Sequence, residues 1–305
     1  MDFGLQRFPP RHHGVSRQAH YAAILDRLPH EFSTIWVNDH LQFGSEEQLE
    51  GWTLLAFLAG SHRRFRYGHL VLSQGFRNPA LLAKMGATFA DLTEGKFILG
   101  IGAGWHEEEY RAYGYDYPRP GIRIAQLAEA IALIRTMWSE SPATFRGTYY
   151  SIERAVCEPR PHGKIPILVG TGRPRGLRLA AQVADMWNWD GPLEPAYLAP
   201  LQLLRTECAA IDRPMSDLSL SAGIEVSLPD DVSTFMPWID TLSGDRVYRL
   251  GPTVGDVVRE IQLLEAEGVS HVQLAPDNIA TLDRFIEEVV PACSGGASVA
   301  AGGSP

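Results

Sequence analysis

Three short segments carry side chains whose chemistry needs a fixed partner or a fixed ligand. The first is Asn38-Asp39-His40. A histidine titrates near neutral pH and can give or take a proton, and a neighbouring aspartate can orient it or raise its pKa. The same pair could equally cap the following loop. The second segment runs from Gly100 to Glu109 and reads GIGAGWHEEE. It approaches a dinucleotide fingerprint but fails it, because the third glycine would fall at position 105, which is Trp105. The absence of side chains at Gly102 and Gly104 leaves room for a flat ring, while Glu107, Glu108 and Glu109 favour a helix N-terminus through the macrodipole. The third segment is Gly170-Thr171-Gly172-Arg173-Pro174-Arg175-Gly176. Small residues at a helix start expose backbone N–H groups that suit a phosphate, and Arg173 and Arg175 add positive charge.

Two more segments could line a ligand. Ser73-Gln74-Gly75 contains a glycine that permits close approach. Trp187-Asn188-Trp189-Asp190 has tryptophans that could wall an aromatic ligand or pack as core. Other chemistries find little support. His12, His13, His40, His62 and His69 form no metal motif, and His106-Glu107 is followed by Tyr110 where a zinc helix needs histidine. No metal is expected, and no GxSxG supports a serine hydrolase.

The elements that must hold these segments alternate. Strands are predicted over Phe3–Gln6, Thr34–Val37, Tyr67–Leu72, Phe97–Ile101, Ile165–Val169, Met186–Trp189, Leu218–Val226 and His271–Leu274, with helical patterns between them. Asn78-Pro79 opens one helix as N-cap and first position, and Thr253 with Asp256 resembles a capping box for another. A helix over Arg123–Trp138 aligns Leu127, Ala130, Ile131, Ile134 and Trp138 in one stripe. Phe145–Ile152 looks like an inserted hairpin. Eight strand–helix units imply a (β/α)8 TIM barrel with insertions over residues 1–290, and residues 291–305 read as a disordered tail. In such a barrel the candidate segments follow strand ends, where chemistry sits. Segments 41–48, 105–120 and 227–250 are the insertions expected to shape a pocket.

Bulk properties narrow the partners. The 305 residues carry 27 Lys+Arg against 36 Asp+Glu, a net charge of −9, which argues against a nucleic-acid binder. A polyanionic ligand would therefore need a locally positive site. Cys157, Cys208 and Cys293 are odd in number and far apart, so no disulfide framework is expected and a reduced cytoplasmic setting fits. The opening MDFGLQRFPPRHHG has no apolar run of the kind a secretory signal needs, and no stretch approaches a membrane span.

Four segments together resemble the luciferase-like flavin-dependent oxidoreductases, a TIM-barrel family, and within it the branch that uses coenzyme F420. They are IWVNDHL (35–41), FRNPALLAKMGATFADLTEGKFILGIGAGWHEEEYRAYG (76–114), CEPRPHGKIPILVGTGRPRGLRLAAQVADMWN (157–188) and GVSHVQLAP (268–276). The resemblance implies an oxidoreductase that moves a hydride between F420 and a small organic substrate. It implies that His40 handles a proton with Asp39 beside it, and that Ser73 and Gln74 form a bulged segment, often with a cis peptide, backing the ring. It further implies that Gly102 and Gly104 line the ring and side chain, that Gly170, Thr171 and Gly172 hold the phosphate with Arg173 near, and that the protein is a homodimer. Thr171 is expected to donate its backbone N–H there. Two alternatives accompany this reading: an FMN-dependent monooxygenase served by a flavin reductase, and a barrel that binds a flavin without turnover. His106 departs from the small polar or acidic residue common after GAGW in that branch.

Overall fold

Residues 1–240 and 246–294 are described by the computed structural model. The strands are β1 (Asp2–Leu5), β2 (Phe32–Val37), β3 (Arg66–His69), β4 (Leu72–Ser73), β5 (Phe97–Gly102), β6 (Ala143–Arg146), β7 (Ser151–Ala155), β8 (Ile167–Gly170), β9 (Met186–Asp190), β10 (Ser219–Val226), β11 (Trp238–Asp240), β12 (Arg246–Leu250) and β13 (Val269–Pro276). The helices are α1 (Arg17–Arg27), α2 (Gly51–Ser61), α3 (Pro79–Leu92), α4 (Glu107–Ala112), α5 (Pro120–Ser139), α6 (Pro174–Val183), α7 (Leu198–Ala209), α8 (Val254–Ala266), α9 (Ile279–Arg284) and α10 (Val290–Ser294).

The main sheet runs β11-β12-β10-β13-β1-β2-β3-β5-β8-β9, with β4 also on β5 and β9 also on β10. The β9–β10 pairing closes the ring. With β3 and β4 counted as one broken strand, the result is an eight-stranded parallel barrel, as expected from the alternation. Parallel strands covered on both faces must be apolar along their length, and all six residues of β5 are buried. The hairpin β6–β7 stands apart as a two-stranded antiparallel sheet.

Local signals set several helix ends. Asn78 accepts from Ala80 and Leu81 N–H at 2.9 and 3.4 Å ahead of Pro79, and Thr253 and Asp256 form a reciprocal capping box. Elsewhere the structure differs from expectation. The Tyr67–Leu72 strand is two pieces separated by a cis peptide between Leu70 and Val71. The loop behind β5 contains α4, and the 227–250 insertion contains the antiparallel β11–β12 pair, though 241–245 lie outside the described residues. Val290–Ser294 is helical, so the first residues assigned to the tail continue the last helix; the rest of that tail lies outside the described residues.

Contacts along the chain group into two units. One comprises Met1–Thr34, Trp189–Ala199 and Ser219 onward; its aromatic core sets Phe3 edge-on to Phe285 at 5.4 Å, with Phe32 5.7 Å from Phe3. The other comprises Ile35–Asn188 and Pro200–Leu218 and contains Asn38–His40, Ser73–Gly75, Gly100–Glu109 and Gly170–Gly176. Here Trp36, Ile98, Leu168 and Met186 form a buried cluster with Leu70 and Val71 half-covered against it.

His69, at the end of β3, is fully buried and stacks on Trp52 at 5.1 Å. Burial lowers its pKa from 6.5 to about 3. The unfolded chain therefore binds the proton first, so this contribution is complete above pH 6.5 and is lost as pH falls toward 3. Urea unfolding at pH 7.5 and at pH 4.5 should show a smaller loss of stability in His69→Phe than in the parent. An equal loss in both would remove His69 as a source of acid sensitivity.

Candidate active site

The end of β2 delivers Asp39 and His40 in opposite roles. Asp39 is buried and receives a two-pronged fork from Arg77, with both N–O distances 2.8 Å, while Ser73 N–H donates to the same carboxylate at 2.9 Å. Burial pushes the Asp39 carboxyl above its ordinary range, and Arg77 and Ser73 oppose that shift. Arg77 also reaches Glu50 at 2.6 Å. Burial raises Glu50, but Thr53 hydroxyl, Thr53 and Trp52 N–H groups and Arg77 outweigh it and hold the carboxyl at about 2. Asp39 is thus an anchor between the β2 and β4 ends. The expectation that it orients His40 is corrected: its oxygens accept from Arg77 and Ser73, and His40 Nδ1 meets Glu109 instead.

His40 is oriented by Glu109 instead. Its Nδ1 lies 3.0 Å from Glu109 Oε1, and Glu109 Oε2 accepts from Leu41 N–H at 2.8 Å. Glu109 is 3% exposed against 24% for His40. Sequence reasoning took Glu107 to Glu109 as one acidic start to a helix. In α4, Glu107 and Glu108 are exposed while Glu109 and Tyr110 turn inward. With Nδ1–H donated to a carboxylate, the other ring nitrogen, Nε2, is left as the proton-accepting face of the neutral ring. It meets no hydrogen-bond partner among the described residues. Phe43 and Trp105 pack edge-on to the ring at 5.3 and 5.5 Å.

Tyr110 is a second residue that sequence reasoning missed. Its hydroxyl makes a short contact with Ser73 Oγ, and burial pushes its pKa up to about 12. Gly104 has φ +75°, and a side chain there would strike the Tyr110 hydroxyl and Ser73 Oγ. One at Gly102 would meet Val71 at 2.8 Å. The space beside these glycines is therefore filled by the chain's own side chains, which corrects the reading that it stands open for a ring. Gln74 is also engaged: its Oε1 accepts from Tyr150 at 2.9 Å and its Nε2 faces Gln126 at 3.4 Å.

At the end of β8 the loop runs Gly170 to Arg173 into α6. Thr171 N–H is donated to Asn188 O at 3.3 Å, so it is not free for a phosphate as expected. Thr171 O accepts from the buried Trp187 Nε1 at 2.7 Å, which makes Trp187 a core strut and not a ligand wall. The N–H groups of Gly172, Arg173, Arg175 and Gly176 have no partner among the described residues, and the Arg173 and Arg175 side chains are exposed beside them. Gly176 is required because a side chain there would strike Thr171.

Among the described residues, no group of three or more His, Cys, Asp or Glu side chains is placed to hold a metal ion, and no helix is long and apolar enough to cross a membrane.

The sequence model of a family described as luciferase-like monooxygenase matches residues 10–274. The F420-dependent glucose-6-phosphate dehydrogenase of Kineococcus radiotolerans is 35% identical over 158 residues, 50% of this chain and 46% of that protein. The phthiodiolone/phenolphthiodiolone dimycocerosates ketoreductase of Mycobacterium kansasii is 37% identical over 174 residues, 55% of this chain and 46% of that protein. The matches span about half the length of these relatives. Among solved structures, the coenzyme F420 dependent tetrahydromethanopterin reductase of Methanopyrus kandleri has a TM-score of 0.77 at 15% identity, covering 95% of this chain and 98% of its own. An F420-dependent secondary alcohol dehydrogenase has a TM-score of 0.76 at 17% identity, covering 96% and 98%. These likenesses carry the barrel fold.

Proposed function

This chain belongs to the luciferase-like monooxygenase family, and from that premise we propose that it is an oxidoreductase transferring a hydride between coenzyme F420 and a small organic substrate. The observation that carries the proposal is the Glu109–His40 contact, which fixes one histidine nitrogen and frees the other for a proton. The names of the relatives support F420 as the cofactor.

The residues present fit that cofactor. The unpartnered N–H groups from Gly172 to Gly176, with Arg173, suit its phosphate in a chain of net charge −9. The half-covered Leu70 and Val71, with Ser73 beyond them, offer apolar backing for a ring, and Trp36 Nε1 beneath them is buried without a partner among the described residues. When bound, a deazaflavin supplies a carbon centre that gives or takes a hydride.

The chain's own residues supply position and proton. Glu109 holds the His40 ring by Nδ1, and Nε2 takes a proton from the substrate when it is oxidised or returns one when it is reduced. Asp39, Arg77, Ser73 and Tyr110 lock the loops after β2, β4 and β5 to one another, which keeps His40 in register with them. Trp105 and Phe43 pack edge-on against its flanks.

Glu109→Gln keeps an acceptor for Nδ1–H but removes the charge that stabilises the protonated ring. Turnover is expected to fall about tenfold. Unchanged turnover would separate Glu109 from the chemistry. The cofactor assignment is tested by titrating F420 and FMN separately into the protein while following tryptophan fluorescence. Micromolar or tighter F420 binding with weak FMN binding is expected, and the reverse preference would point to a flavin monooxygenase.

A further inference from the structure

His106 is buried at the head of α4, and its Nε2 has no hydrogen-bond partner among the described residues. The ring's packing does not need a nitrogen. It stacks on Phe43 at 4.9 Å with a 24° interplanar angle, with Trp105 at 5.2 Å and His40 at 6.0 Å. A phenyl ring would fill the same place. Leaving a buried polar atom unpaired is destabilising, so a polar atom there calls for a partner that arrives from outside the chain.

We propose that His106 determines specificity, and that its Nε2–H donates a hydrogen bond to the oxygen of a carbonyl or alcohol substrate bound beside His40. The proposal rests on the oxidoreductase reading above and deepens it by naming the substrate class. Both members of a carbonyl/alcohol pair present an acceptor oxygen to the same N–H, so one donor serves substrate and product. The two histidines then divide the work. His40, tied to Glu109, is placed to exchange a proton, whereas His106 holds the oxygen.

The test compares the parent, His106→Phe and His106→Gln, each with F420 added and each as apo protein. The probes are cyclohexanone, cyclohexanol and methylcyclohexane, with binding read by tryptophan fluorescence. The parent should bind both oxygenated probes more tightly than the hydrocarbon. His106→Phe should weaken the oxygenated probes about tenfold and leave methylcyclohexane unchanged, and His106→Gln should restore part of the loss. The thermal midpoint of His106→Phe should not fall, because the stack on Phe43 is kept and an unpaired nitrogen is removed. Unchanged binding of the oxygenated probes in His106→Phe would overturn the proposal. So would a drop of several degrees in its midpoint, or a parent that prefers no oxygenated probe. Failure of the parent to bind F420 would instead sink the cofactor reading, while the apo titrations still decide the role of His106.

Discussion

Alanine in place of His40 should leave F420 affinity within a few fold and cut turnover by about 10²- to 10⁴-fold. The reason lies in how the side chain is held. Its Nδ1 is fixed on Glu109 at 3.0 Å, and the ring is partly exposed, so its removal takes away a proton carrier without opening a core. The cofactor would be gripped elsewhere in the same unit, by the loop into α6. Single-turnover kinetics with a preloaded cofactor, set against the F420 dissociation constant, separates the two effects. A variant that loses affinity and keeps its rate would move His40 from chemistry to binding, and a variant with the parent's rate would remove it from the mechanism.

The second large effect is on stability. Arg77→Ala should cost about 3–5 kcal/mol, because it leaves the buried Asp39 carboxylate with only the Ser73 N–H. The Arg77 side chain is 12% exposed and that of Asp39 2%, so solvent cannot replace the lost fork. The loss should be measured by urea unfolding at neutral pH. Adding Asp39→Asn to Arg77→Ala should recover part of it, since a neutral amide is far cheaper to bury alone. A cost below about 1 kcal/mol in the single variant, or no recovery in the double, would show that the pair is not the anchor described here.

The elements that could be read from the chain were those that depend on near neighbours. Asn78-Pro79 and the Thr253–Asp256 box specify helix starts within three or four residues, and the buried run FILGIG marks a strand covered on both sides. The eight-unit alternation fixed the barrel, because a parallel strand following a helix has few places to go. The segments that carry the candidate site were also visible, as a titratable residue or a glycine-rich turn just after a strand.

What the chain could not reveal was which side chain each of these meets. His40 finds Glu109 across 69 positions, and Asp39 finds Arg77 across 38. The adjacent Asp39–His40 pair looked like the natural couple, yet consecutive residues at a strand end point in different directions, and here one is buried while the other stays partly exposed. Within Glu107–Glu109, only the helical phase of α4 picks out the carboxylate that faces inward. Thr171 likewise lost its free N–H to Asn188 on a neighbouring strand. Sequence by itself determined the barrel and the loops on which chemistry could stand. The tertiary structure decided the partners, because hydrogen-bond choice depends on strand adjacency and side-chain direction, and neither is written in local spacing.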